Sequence, residues 1–146
     1  LRELASPNWE IVLQQGNGFG ERLAHGMATL TAGGDAAIIT DSDSPTMSIR
    51  PLSEAVNHLR APKRALLGPA MDGGYYLIGM SCHAAEVFEG IHWSTSSVAM
   101  ETRAQLNAQG YDTLELPPTA DVDVPEVCRP CAPPPPPPPP PCGCGG

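Results

Sequence analysis

Apolar and polar positions along the chain fall into blocks whose period switches between that of a strand and that of a helix. "WEIVLQ" (9–14) is a short β-prone run, followed by the glycine-rich turn "QGNGFG". In "ERLAHGMATL", Leu23, Met27 and Leu30 stand at i, i+4 and i+7, one face of a helix. "DAAIIT" is a continuous apolar run of strand length, the pattern of a strand covered on both sides. Leu52, Val56 and Leu59 mark a second amphipathic helix, with Pro51 at a favourable early position. "RALLG" and "YYLIGM" read as two strands around the turn "PAMDGG", and alternation along the second sends Tyr75 and Tyr76 to opposite faces. A third helix is expected from about Ser96 to Ala108, with cap candidates among Ser94 to Ser97 and Gly110 as its stop signal. "TLEL" is a last short strand. This alternation predicts an α/β fold with a largely parallel sheet, whose ligands bind beyond the carboxyl ends of the strands.

The chain of 146 residues is one domain's worth, and its final residues are a different material. "CRPCAPPPPPPPPPCGCGG" holds nine consecutive prolines, a polyproline II rod in isolation. Cys128, Cys131, Cys142 and Cys144 flank that rod and match a four-thiolate zinc set, but the segment reads more simply as a low-complexity extension. Cys82, alone in the body, is expected to be a small buried side chain. A net charge of −8 argues against a nucleic-acid partner, which needs a basic face. No run of about 20 apolar residues is present, so no membrane span is expected. The start "LRELASPNWE" has no signal-peptide pattern, and the expected location is cytoplasmic; without an initiator Met, the chain reads as a fragment or a processed product.

Chemistry concentrates at strand ends. Asp41 and Asp43 follow the apolar run with one residue between them, so in extended backbone both carboxylates face one point. Two hard oxygen donors there suit Mg²⁺ or Mn²⁺ with a substrate phosphate; the alternative is that Asp43 caps the next turn. "TADVDVPE" repeats the spacing with Asp121 and Asp123, either a second carboxylate pair or an ordinary acidic loop. Asp72 with Gly73 and Gly74 suits the close approach of a hydroxyl-bearing ligand, and equally a hairpin turn. Glycines at 16, 18 and 20 precede a helix where free amides could meet a phosphate, with Arg22 as the nearby cation; the Walker ending is missing. Trp93 in "HWSTSS" is a packing residue or a stacking platform for a sugar. No nucleophile–base triad motif occurs.

Together "QQGNGFGERL", "IITDSDSPT", "LGPAMDGGYYLIGM", "VFEGIHWSTSSV" and "DVDVPE" resemble the successive signatures of the DUF2064 family, glycosyltransferase-A-like (radical-SAM/selenodomain-associated) transferases. The resemblance implies a GT-A-like, nucleotide-diphospho-sugar transferase fold over residues 1–127, a mixed and mostly parallel sheet with flanking helices, and a disordered tail at 128–146. It implies a metal-dependent transferase that moves a glycosyl group from a nucleotide-activated donor to an acceptor. Asp41, Asp43 and Asp123 would hold Mg²⁺ or Mn²⁺, and Asp72 and Asp121 would be catalytic. Gly18, Gly20, Arg22, Asp72, Gly73, Gly74, Tyr75 and Trp93 would bind substrate. Val124 replaces the family's Thr in "TPEDL", and Val127-Cys128 its Asp-Leu. The family's first strands and their basic loop, "K-x-P-x-P-G-x-V-K-T-R-L", have no counterpart, so the chain is expected to be the C-terminal portion of an enzyme. The rival expectations are a nucleotidyltransferase acting on a phosphorylated acceptor, and a non-catalytic scaffold whose polyproline rod binds partner domains.

Overall fold

A computed structural model describes residues 10–41 and 49–119. Asp43, Asp121, Asp123 and the Cys/Pro tail, on which several expectations fall, lie outside the described residues. The order is α1 (Phe19–Thr31), β1 (Ala37–Thr40), α2 (Ile49–His58), β2 (Arg64–Pro69), β3 (Tyr75–Met80), a 3₁₀ turn (Ala85–Phe88), α3 (Val98–Ala108) and β4 (Asp112–Glu115). The strands form one mixed sheet in the order β1-β3-β2-β4. β3 is antiparallel to β1 and to β2, whereas β2 and β4 are parallel. Three strands therefore run one way and β3 runs against them. The carboxyl ends of β1, β2 and β4 and the start of β3 all meet at one edge.

Helices cover both faces. On one, Leu23 and Met27 of α1 and Leu106 of α3 pack with Val87 and Phe88 onto Ala37, Ala65, Ile78 and Met80. On the other, Ala55 of α2 and Leu59 just after it pack with Leu66, Tyr76, Leu77 and Leu116. Burial of such side chains, at about 25 cal/mol per Å² of apolar surface, supplies most of the drive to fold. The helical faces differ in detail from the sequence pattern. Leu30 and Val56, expected inward, are 51% and 44% exposed, because α1 and α2 turn their Met27 and Ala55 stripes to the sheet instead. α3 ends in the Schellman pattern that Gly110 allows. Gly110 has φ 78°, its amide donates to the Asn107 carbonyl, and the Tyr111 amide donates to that of Leu106.

The β3 register breaks between Gly68 and Pro69: Leu77 pairs with Gly68 and Tyr75 with Pro69, which leaves Tyr76 as the extra residue of a bulge. Tyr75 thus packs toward α3, while Tyr76 and Leu77 both turn to the α2 side. Gly68 makes room for this, since a Cβ there would lie 2.6 Å from the Tyr76 ring. The Tyr76 hydroxyl is fixed by donating to the Pro117 carbonyl at 3.0 Å.

Two expectations fail locally. Residues 10–14 of "WEIVLQ" form no strand, and Ile11, Val12 and Leu13 are exposed, because no neighbouring strand among the described residues pairs with them. β1 is not covered on both sides: only Ala37 is buried, and the strand pairs with β3 alone among the described strands. Cys82 is half-buried, its sulfur 3.4 Å from the Tyr111 hydroxyl. No helix among the described residues is long and apolar enough to cross a membrane.

Leu106 has no exposed surface and joins α3 to the larger cluster. Leu106→Ala is expected to destabilise the fold by about 2–5 kcal/mol in chemical denaturation. Leu114→Ala, at a position 37% exposed, should cost clearly less. Equal losses would contradict this placement of the core.

Candidate functional site

At the edge where strand ends converge, the turn between β2 and β3 is drawn tight. The Ala70 amide donates to the Gly74 carbonyl at 2.9 Å and the Gly73 amide to the Ala70 carbonyl at 3.1 Å. Asp72 stabilises the turn by accepting the Gly74 amide on Oδ1 at 2.8 Å, leaving Oδ2 outside that bond. Gly73 has φ +94°, and a Cβ on it would stand 2.1 Å from the Ser96 carbonyl oxygen. Only glycine suits both the conformation and the approach. Its carbonyl accepts the Ala99 amide at 2.9 Å, so the turn satisfies one of the orphan amides at the start of α3. The serines expected as caps make no side-chain cap there.

Between this turn and the start of α1 opens a cleft of about 390 Å³. Asp72, Gly74 and Tyr75 line one side, Phe19 and Trp93 another, and Ser94, Thr95, Ser96 and Val98 the floor. Trp93 meets Phe19 edge to face, with centroids 5.1 Å apart. Its indole also presses on Gly20, where a Cβ would lie 2.6 Å from Nε1. Ser94 sits at φ 64°, a conformation a non-glycine residue adopts only when its surroundings impose it.

On either side of the segment 93–96, His92 and Ser97 both meet Glu101. Its Oε2 accepts the His92 amide at 2.7 Å, and its Oε1 accepts the Ser97 hydroxyl at 2.9 Å and lies 3.1 Å from His92 Nδ1. Thr95 completes the net, donating to the His92 carbonyl at 2.7 Å with its Oγ1 2.7 Å from Ser97 Oγ. The His92 amide, then the Ser97 hydroxyl, hold the Glu101 carboxyl below its ordinary range. Burial pushes the Tyr75 phenol far up, offset in part by the Thr102 hydroxyl. Neither hydroxyl has a partner at hydrogen-bond geometry among the described residues.

The other expected site residues are dispersed. Gly74, Tyr75, Trp93 and Asp72 line the cleft, with Gly73 directly behind it. Gly20 serves Trp93 packing, and Gly18 is the backbone N-cap of α1, accepting the Arg22 amide at 3.1 Å. Arg22 does not line the cleft. Its Nε donates to the Gly16 carbonyl at 3.2 Å, and its side chain borders a separate apolar groove along α1. Phe19 and Glu101 were not anticipated. Phe19 stands inside the stretch that reads as a glycine-rich turn, and for Glu101 the four-residue spacing from Ser97 was the available signal.

Asp41 stands exposed directly after β1, on the same edge as the Asp72 turn. Its amide donates to the Tyr76 carbonyl at 3.0 Å, which also accepts the Thr40 hydroxyl at 3.1 Å. Burial and, after it, the nearby Asp41 charge raise the Tyr76 phenol. A carboxylate at this edge has the hard-oxygen chemistry that Mg²⁺ or Mn²⁺ prefers. Among the described residues no group of three His, Cys, Asp or Glu comes together; the other three expected carboxylates lie outside them.

The chain matches the family model DUF2064, "Uncharacterized protein conserved in bacteria", over residues 1–95. It also resembles the crystal structure of a "putative nucleotide-diphospho-sugar transferase" from Desulfovibrio desulfuricans G20, with 36% identity and a TM-score of 0.69. The match covers 76% of this chain and 49% of the other, so this chain spans about half that protein's length. At this similarity the chain has the nucleotide-diphospho-sugar transferase, GT-A-like fold. No curated protein matches it.

Gly73→Ala tests the turn that shapes the cleft. Strain at positive φ alone costs about 1–3 kcal/mol, and displacement of Ser96 adds to it, so a lower denaturation midpoint is expected. Gly74→Ala, whose Cβ would meet only the Asp72 carboxylate, at 3.2 Å, should lose less. A Gly73→Ala protein as stable as the parent would rule out this packing.

Proposed function

The chain belongs to the DUF2064 family, and from that membership and the cleft at its strand ends we propose that it carries the site of a metal-dependent glycosyl transferase using a nucleotide-activated donor. One observation carries the reading: Asp41 and the Asp72–Gly74 turn, far apart in sequence, share the sheet edge at which ligands of such sheets bind. The likeness to a protein titled a nucleotide-diphospho-sugar transferase supports the same class.

The residues divide the work by charge. Asp41, Asp43 and Asp123 would hold Mg²⁺ or Mn²⁺, which when bound supplies Lewis-acid neutralisation of the leaving diphosphate. Among the described residues, the cleft lining contains one carboxylate, Asp72, and no cation. It therefore suits a neutral, hydroxyl-bearing group better than a phosphate, with Trp93 and Phe19 offering an apolar wall for a sugar face. In transfer, the bond from the sugar's anomeric carbon to the diphosphate oxygen breaks and a bond to the acceptor oxygen forms. The acceptor's proton passes to a carboxylate. Asp72, with Oδ1 held by the Gly74 amide, has Oδ2 to receive it, and Asp121 is the second candidate. Gly73 and Gly74 bring backbone close to the transferred group.

Thermal unfolding with Mn²⁺ and a panel of nucleotides and nucleotide sugars tests this directly. A ligand at 100 times its Kd stabilises the folded state by about 2.7 kcal/mol, so an upward shift that requires both metal and nucleotide is expected. Asp41→Asn and Asp43→Asn should each abolish the metal-dependent part. A shift that survives both substitutions would sink the metal assignment. With turnover, free nucleoside diphosphate marks glycosyl transfer, whereas pyrophosphate would replace the reading with nucleotidyl transfer.

A further inference from the structure

The net around Glu101 reaches the cleft through Thr95 and bonds to none of the groups to which chemistry is assigned above. Its geometry is nonetheless specific. One carboxylate takes the His92 amide on one oxygen and the Ser97 hydroxyl on the other, with His92 Nδ1 also within 3.1 Å. Both anchor points flank the segment 93–96, which supplies an aromatic wall and three hydroxyl residues to the cleft. That segment is not relaxed by itself, since Ser94 is held at φ 64°. Across the cleft floor the Ser96 backbone is pressed against Gly73. Displacing the segment would therefore move Trp93 and the Asp72–Gly74 turn together.

We propose that Glu101 is a positioning residue, whose carboxylate holds Trp93 to Ser96 in the shape that receives the hydroxyl-bearing group. The site's use for a sugar or acceptor rests on the function proposed above; the positioning itself does not. Alanine in place of Glu101 removes both acceptor oxygens, so the His92 amide and the Ser97 hydroxyl lose their shared partner and the segment loses its anchor. Glutamine keeps the net: its carbonyl accepts the His92 amide, and its NH₂ donates to the Ser97 hydroxyl, which turns its own proton to Thr95 Oγ1.

The chain has two tryptophans, so a Trp9→Phe background makes Trp93 the sole indole reporter. In that background Glu101→Ala is expected to red-shift Trp93 emission and raise its acrylamide quenching constant, with the cooperative unfolding transition retained, and Glu101→Gln to stay close to the parent. Ser97→Ala, which leaves the His92 bonds in place, should move both signals in the same direction by less. Glu54→Gln, an exposed acid on α2, should move neither. If Glu101→Ala abolished cooperative unfolding, Ser97→Ala would decide the question with the fold intact. Unchanged Trp93 signals in Glu101→Ala, or equal changes in Glu54→Gln, would overturn the proposal. This readout needs no ligand. The function can therefore fail, with no metal- and nucleotide-dependent stabilisation of the parent, while the positioning role stands, and the reverse is equally visible.

Discussion

The contact between Gly73 and the start of α3 is the constraint on which the rest of the site depends. A carbonyl in the β2–β3 turn accepts an amide from the first turn of α3, and the two backbones approach so closely that no Cβ fits between them. Sheet edge and helix start are thereby locked to each other through main chain, which side-chain rotamer changes cannot loosen. The Phe19–Trp93 pair and the Glu101 net then build outward from this lock. The cleft is a consequence of it: two backbone elements held in contact at one end diverge at the other.

The bulge at Tyr76 serves the same edge from the opposite face. By adding one residue to β3 it sends Tyr75 toward α3 and lets Tyr76 and Leu77 share the α2 side. The Tyr76 carbonyl takes the Asp41 amide, which continues the β1–β3 register past Thr40 and Leu77, and also the Thr40 hydroxyl, so that the end of β1 is fixed. Asp41 is thus placed opposite Tyr76, two residues along the chain from the turn that carries Asp72. Both bulge and turn require a glycine where the chain crowds, Gly68 in one and Gly73 in the other.

Much of this was legible in the sequence because it is local. The periods of "ERLAHGMATL", "RALLG" and "YYLIGM" place elements correctly, since side-chain direction repeats with backbone geometry. The resemblance of "IITDSDSPT" and "LGPAMDGGYYLIGM" to one family carried the fold. What misled was each inference that needed a neighbour. "WEIVLQ" has strand composition, but β-propensity is expressed only where a pairing strand is available. Leu30 and Val56 fit a helical period yet stay exposed, because the period names a face and not the object it faces.

By itself, then, the sequence determined the order and type of most elements, the family, and the tight turn that joins Asp72 to its glycines. These follow from spacing along one stretch of chain, where geometry is set by covalent connection. Only the tertiary structure decided that β3 runs against its neighbours, that Asp41 and Asp72 share an edge, and that Phe19, Trp93 and the Ser94–Ser96 segment enclose one cleft with the Asp72 turn. Those are contacts between residues tens of positions apart, and they depend on how the sheet orders its strands and how closely backbones pack, quantities no local pattern encodes.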